Sequence, residues 1–285
     1  MEAQTMTFIG KFILITKMTV LSLFLSITNK DSYLVYLNNP ETVKSSGLIY
    51  SQTFNKNSKV RYFFHYKNGT KKPMNFVIKT NNKLENLKKS INTDFRPEIA
   101  GAKSGKSFLE CSAQQSYANY SSSVLPDCTI SGILEADFEK NDYIEYYFDN
   151  KNEITKFDVL QEEYNFNYFY NLDLNSTASY RLGDNQDNTV KGLYGSNINI
   201  KITPKDSGIL KLSFSPRGGS GLLVFSNKGK IYTTKLCDAK SYNEVFVCNV
   251  EKNISETFTF IPLGGLNYPI LLNFSLHSFE ITKVA

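Results

Sequence analysis

No tryptophan occurs among the 285 residues, and only two histidines do, His65 and His277. The missing indole removes the side chain most used for stacking on ligands. Two histidines far apart in sequence leave little from which to build a His-based metal site, and no cysteine pair has the close spacing of a zinc site. Arginine is scarce too, at Arg61, Arg96, Arg181 and Arg217, although Lys and Arg together number 32 and the net charge is +5. The basic residues are spread along the chain as a solvated, lysine-rich surface. A nucleic-acid interface would concentrate them on one face. A G-x-S-x-G nucleophile elbow is also absent.

Long apolar runs are absent except for one. "KFILITKMTVLSLFLSIT" places Lys11 and Lys17 before an apolar stretch from Met18 to Ile27. A basic segment followed by an apolar one of this length is the pattern of a secretory signal or an N-terminal membrane anchor. Residues 1–29 are therefore expected to direct the chain out of the cytoplasm. Four cysteines, Cys111, Cys128, Cys237 and Cys248, allow three connectivities. Their spacing favours the local disulfides Cys111–Cys128 and Cys237–Cys248, each worth about 3 kcal/mol in the chain-entropy model. Such bonds persist in oxidising compartments. The N-x-S/T sequons, Asn68 among them, carry no weight in so asparagine-rich a chain.

What the chain has in quantity is alternation. In "VRYFFHYKNGTKKPMNFVIKT", Val60, Tyr62, Phe64 and Tyr66 share one face, and Met74, Phe76 and Ile78 share another. Asn68-Gly69 between them reads as a tight hairpin turn. His65 falls opposite the aromatic face, as a surface histidine. "LLVFS" and "KIYTTKL" flank a second turn at Asn227-Lys228-Gly229, and "INIKITP", "GILKLSFSP", "ETFTFIPL" and "PILLNFSLHSF" alternate likewise. Many short strands with turns between them predict a mainly all-β protein made of two β-sandwich-like modules, with one short helix in the first. The expected modules span 30–155 and 156–285. The helix is expected at residues 106–120, whereas "KLENLKKSIN" suits a helix or a strand.

"AGAKSGKS", residues 100–107, fits the loose phosphate-loop pattern. A working phosphate loop needs a buried strand running in and a helix running out, so that backbone N–H groups cradle the phosphates. Here the inbound segment is "INTDFRPEIAG", where Pro97 opposes a buried strand. The expectation is a polar loop capping a helix near Ser107, with no bound cofactor and no metal. Glu135, Asp137, Glu139, Glu145, Glu162 and Glu163 could supply paired carboxylates for glycoside hydrolysis. They are better read as a solvated face. Tyr164, Phe166, Tyr168 and Tyr170 alternate with asparagines, which suits core packing better than a sugar-stacking platform.

"KGLYGSNINIKITPKDSGILKLSFSPRGGSGLLVFSNKGKIY", "TFTFIPLGGLNYPILL" and "YFFHYKNGT" together resemble a family of exported bacterial β-rich proteins. That family is known chiefly through an attached copper-amine-oxidase-N-terminal-like stalk domain, of which this sequence shows no sign. Its motifs fall here on Gly192, Tyr194 and Gly195, on Pro216–Gly219, and on Gly264, Gly265, Tyr268 and Pro269. The resemblance implies a β-rich envelope or surface protein and does not imply copper. Arg217, Gly218, Gly219 and Tyr268 are the candidate binding-loop residues. Arg217 would anchor its loop to a carboxylate or carbonyl, or bind an anionic ligand. The function expected is an extracytoplasmic binding or structural protein, secreted or membrane-anchored. Its partner would be an envelope component or polysaccharide and not a nucleic acid. A carboxylate-based polysaccharide hydrolase is the enzymatic alternative.

Overall fold

A computed structural model describes residues 31–149, 155–156, 163–164, 166–182, 189–190, 194–216, 224–233, 244–263 and 270–278. Strands dominate it, and they form two β-sandwiches. The first sandwich has an inner-facing sheet in the order β12 (Glu163–Tyr164), β1 (Asp31–Leu37), β4 (Ser58–Asn68), β9 (Thr129–Phe138), β6 (Leu84–Asp94) and β7 (Gln114–Ser116), with β2 (Thr42–Val43) also paired to β4. Its second sheet runs β11 (Thr155–Lys156), β3 (Gly47–Thr53), β10 (Tyr143–Asp149), β5 (Met74–Thr80) and β8 (Tyr120–Val124). Because β11 and β12 both return to this sandwich, it extends past residue 155.

The second sandwich starts with β13 (Asn167–Leu174). One sheet runs β13, β16 (Asn197–Pro204), β21 (Glu256–Ile261), β18 (Val224–Asn227) and β19 (Lys230–Thr233). The other runs β15 (Thr189–Val190), β14 (Thr177–Leu182), β22 (Ile270–Ser278), β17 (Gly208–Pro216) and β20 (Glu244–Val250). Each sandwich has its own core. Tyr62, Phe64, Tyr66, Phe76, Ile78, Phe138 and Tyr146 fill the first, and Ile200, Leu212, Phe225, Phe258, Phe260 and Phe274 fill the second.

The two turns read from sequence have different outcomes. Asn227-Lys228-Gly229 does join paired strands, β18 and β19, with Lys228 at φ 48 and Gly229 at φ 76. Those left-handed values are what a two-residue hairpin demands. Asn68-Gly69 does not make a hairpin, because β4 pairs with β1 and β9 while β5 pairs with β10 and β8. The chain crosses there from one sheet to the facing one. Asn68 seals the corner, its Nδ2 donating to the Lys72 and Val124 carbonyls at 2.9 and 2.8 Å and its Oδ1 accepting from the Thr70 N–H at 2.9 Å. Its side chain is fully buried, which also denies that sequon to a glycan.

"KLENLKKSIN" is strand β6. A register shift between Leu84 and Leu87 against β7, with Asn86 at φ 51, puts both leucines in the first core and sets Ile91 against it. A bulge of this kind inserts an extra residue and breaks the two-residue period. The resulting spacing imitates a helix.

The helix, α1, spans Pro97–Glu110 and not 106–120. Pro97 opens it, where a missing N–H costs nothing, and Glu98 sits favourably in the first turn. The segment after it turns into β7 and β8. α1 lies on β6 and β9 and reaches β18 and β19 of the second sandwich.

Between the sandwiches a third apolar cluster forms. Leu34, Phe63 and Ile133 come from the outer face of the first sandwich, Ala102 and Phe108 from α1, and Phe166, Val224, Ile261 and Leu263 from the second half. β4 is therefore buried on both faces. Gly195 lies in this contact at φ 83, and a Cβ there would sit 2.4 Å from Phe63 Cβ. Gly195→Ala combines an unfavourable backbone with a steric clash. It is expected to destabilise the protein by about 2 kcal/mol or more. The check is urea unfolding, with a lower midpoint at unchanged slope.

Candidate functional site

The strongest concentration of buried charge lies where the sandwiches meet. Arg61 projects from β4 and is 3% exposed, and Glu135 projects from its register partner on β9 and is 6% exposed. Strand alternation places both on the outer face. Arg61 Nε and Nη2 donate to Glu135 Oε2 at 2.7 and 2.5 Å, and Lys59 Nζ holds Oε1 at 3.0 Å. Arg61 Nη1 crosses to the second sandwich, donating to the Gly195 carbonyl at 3.2 Å and to Asn197 Oδ1 at 2.9 Å. The guanidinium also lies 4.9 Å from the Phe108 ring centre and 4.7 Å from that of Phe166. One side chain thereby ties together a sheet, the helix, the inter-sandwich segment and the second sandwich. Burial alone would raise the Glu135 pKa, but the Arg61 and Lys59 cations outweigh it and hold the carboxyl below its ordinary range.

The phosphate-loop lookalike is helical throughout. Ala100, Gly101, Ala102, Ser104 and Gly105 form the buried face of α1. Ser104 Oγ donates to the Ser131 carbonyl at 2.6 Å, and Ser90 Oγ donates to the Ser104 carbonyl at 2.7 Å. A Cβ on Gly105 would come 2.4 Å from Leu263 Cδ1. The small residues let the helix approach two sheets closely. Their backbone N–H groups serve the helix and form no open cradle, so the expectation of a polar loop before Ser107 is corrected.

His65 is not a surface residue: it is 7% exposed and stacks on Phe63. Burial lowers its pKa to about 4, so it is neutral at pH 7. Of the carboxylates, Glu135 is committed to Arg61 and Lys59. Asp137 accepts from Asn86 Nδ2 at 2.6 Å. Glu145 stands on the outer face of the opposite sheet, where the Tyr147 hydroxyl donates to it. They do not converge. Glu162 and the side chain of Glu163 lie outside the described residues. Among the described residues no group of three or more His, Cys, Asp or Glu could hold a metal ion.

The expected Cys111–Cys128 disulfide is not formed. Cys111 ends α1 and packs against the inter-sandwich cluster, while Cys128 packs against the core on the other side of that sheet. Both are free thiols, as is Cys248 on β20. Burial pushes the Cys248 thiol pKa up. Cys237, Arg217, Gly218, Gly219 and Tyr268 lie outside the described residues. Tyr194 and Gly195 of the same motif set lie inside, at the inter-sandwich contact, where Tyr194 stacks on Tyr36. Tyr170 packs partly against the second core and Phe166 enters the inter-sandwich cluster. Arg61, Phe108, Phe166 and Asn197 escaped the sequence reading as a set. The scarcity of arginine that drew attention to Arg217 applied equally to Arg61.

No protein-family model matches the chain, and no curated protein matches it. Among solved structures, it is similar to the CUB1-EGF-CUB2 domains of rat MASP-1, at 9% identity over 84% of this chain and 99% of that one, with a TM-score of 0.24. It is also similar to the tandem CBM51 modules of a family 98 glycoside hydrolase from Streptococcus pneumoniae, at 10% identity over 84% and 90%, with a TM-score of 0.22. Likeness at these scores carries no inference. The sandwich architecture stands on the strand pairing itself.

Removing one partner of a buried ion pair strands the other charge. Arg61→Met is expected to cost about 3–5 kcal/mol, and Arg61→Met combined with Glu135→Leu distinctly less than the single changes summed. Chemical denaturation of all three variants checks this.

The pH dependence has a defined sign. Between pH 6.5 and about 4 the unfolded chain takes up a proton on His65 that the folded protein refuses. Stability is fully present above the unfolded value and falls by about 3 kcal/mol on acidification to pH 4. Glu135 adds a further loss only below the ordinary glutamate range. His65→Gln is expected to flatten the upper part of the stability profile between pH 4 and 6.5, measured by urea melts at stepped pH.

Proposed function

We propose that this chain is an extracytoplasmic binding or structural protein of the cell envelope, built as a fixed pair of β-sandwiches. One observation carries the reading. The space between the sandwiches, where a hydrolase would place its carboxylates, is filled by α1, the apolar cluster around Phe108 and Phe166, and the Arg61–Glu135 pair. Glu135 is spent as a structural anion. A protonatable glutamate for acid catalysis would need its pKa raised, and that of Glu135 is lowered. What remains is a fixed scaffold with broad sheet faces, the form of a protein that presents surfaces.

The location is supported by the N-terminal sequence pattern, a basic segment before an apolar run. The thiols of Cys111 and Cys128 add nothing to it. The test is fractionation of host cells followed by intact-mass measurement of the chain. Recovery in the envelope or medium is expected, with the N-terminal segment either removed or holding the protein at the membrane. A full-length chain found only in the soluble cytosol would sink the reading.

A further inference from the structure

The outer face of the sheet holding β13, β16, β21, β18 and β19 is covered at one side and open at the other. Ile231, Val224 and Ile261 on it pack into the inter-sandwich cluster. Away from that cover the composition changes. Strand register sets Phe169, Asn199, Thr259 and Ser226 side by side across β13, β16, β21 and β18. With neighbouring strands about 4.8 Å apart, the row runs about 14 Å. Asn171, Lys201 and Thr257 on the same face are all exposed.

Phe169, on the edge strand, is 75% exposed, the most of any large apolar side chain among the described residues. One exposed ring is ordinary. Its surroundings are not. The row beside it is made of amide and hydroxyl side chains and contains no carboxylate. Thr259 Oγ1 donates to Asn199 Oδ1 at 2.8 Å, and Asn199 Nδ2 donates to the Tyr168 carbonyl at 3.2 Å. The Asn199 amide is therefore held in place before anything binds, which reduces the entropy that binding must overcome.

We propose that this row is a binding platform for a neutral polysaccharide chain. The chemistry matches part by part. Sugar rings offer an apolar C–H face that stacks on an aromatic ring, and hydroxyls that donate to and accept from neutral amides and hydroxyls. A row of this length suits a short stretch of polymer rather than one sugar. A protein partner would call for more apolar area than a single ring. An anionic surface would call for clustered cations, and Lys201 is the one cation in these two rows. The inference rests on the binding-protein reading above and gives it a ligand class and a site.

The test uses the full chain in affinity electrophoresis against soluble glucan, xylan and mannan, with polygalacturonate as the anionic control. Retardation by at least one neutral polymer is expected, little affected by salt. Phe169→Ala should weaken it about tenfold or more while leaving the thermal midpoint in place. Lys201→Gln should leave it unchanged. If Phe169→Ala binds as well as the wild type, the site is wrong and the binding reading stands. Retention by polygalacturonate alone, lost with salt or with Lys201→Gln, overturns the neutral ligand. If no neutral polymer retards the chain, the inference falls. Co-sedimentation with host envelopes would then show whether the binding reading survives it.

Discussion

The Arg61–Glu135 pair is the interaction on which the arrangement of the two sandwiches depends. Taking both charges out of water is costly, and the cost is recovered only where hydrogen bonds and opposite charge are nearly complete. Here they are. The carboxylate holds two cations, and the guanidinium Nη1 donates to the Gly195 carbonyl and Asn197 of the second half while the group lies against two phenyl rings. Such a pair adds little stability over an apolar substitute. It disfavours other dockings of the sandwiches through the Arg61 Nη1 donors, which would lose the Gly195 carbonyl and Asn197 Oδ1 while the pair with Glu135 stays within its own sheet.

Close approach is the second constraint, and glycine supplies it. α1 is pinned between two sheets by a face of alanines, glycines and one serine, and Gly105 lets Leu263 come to a distance no other residue would allow. Gly195 does the same for Phe63 from the opposite side. A stretch whose residue types mimic a phosphate-binding loop is thus explained by packing. The same small residues that let a backbone approach a phosphate also let a helix approach a neighbouring sheet.

Strand existence was legible because a half-buried strand must alternate, and β5, β13, β16, β17, β21 and β22 all do so. Strand partnership was less legible. Asn68-Gly69 has the composition of a hairpin turn, yet the core was better filled by sending β5 to the facing sheet, with Asn68 buried at the corner. A bulge at Asn86 gave β6 a helical spacing, so local pattern alone left it undecided. The helix was displaced toward the N-terminus because Pro97 is compatible with a first helical turn as well as with a broken strand.

The sequence by itself determined that this is a β-rich chain of two units, because alternation and turn chemistry are local properties. It also named the apolar face of the first core along β4 and β5, since that follows from residue type and period alone. Tertiary structure decided the rest. It made His65 a buried neutral group, put Cys111 and Cys128 on opposite sides of one sheet, and turned Glu135 from a surface carboxylate into the anion of a clamp. It also aligned Phe169 with Asn199, Thr259 and Ser226, drawn from four strands distant in sequence. Each outcome depends on which strands become neighbours and which sheet face is covered. Those are long-range facts, and a one-dimensional pattern of residue types does not contain them.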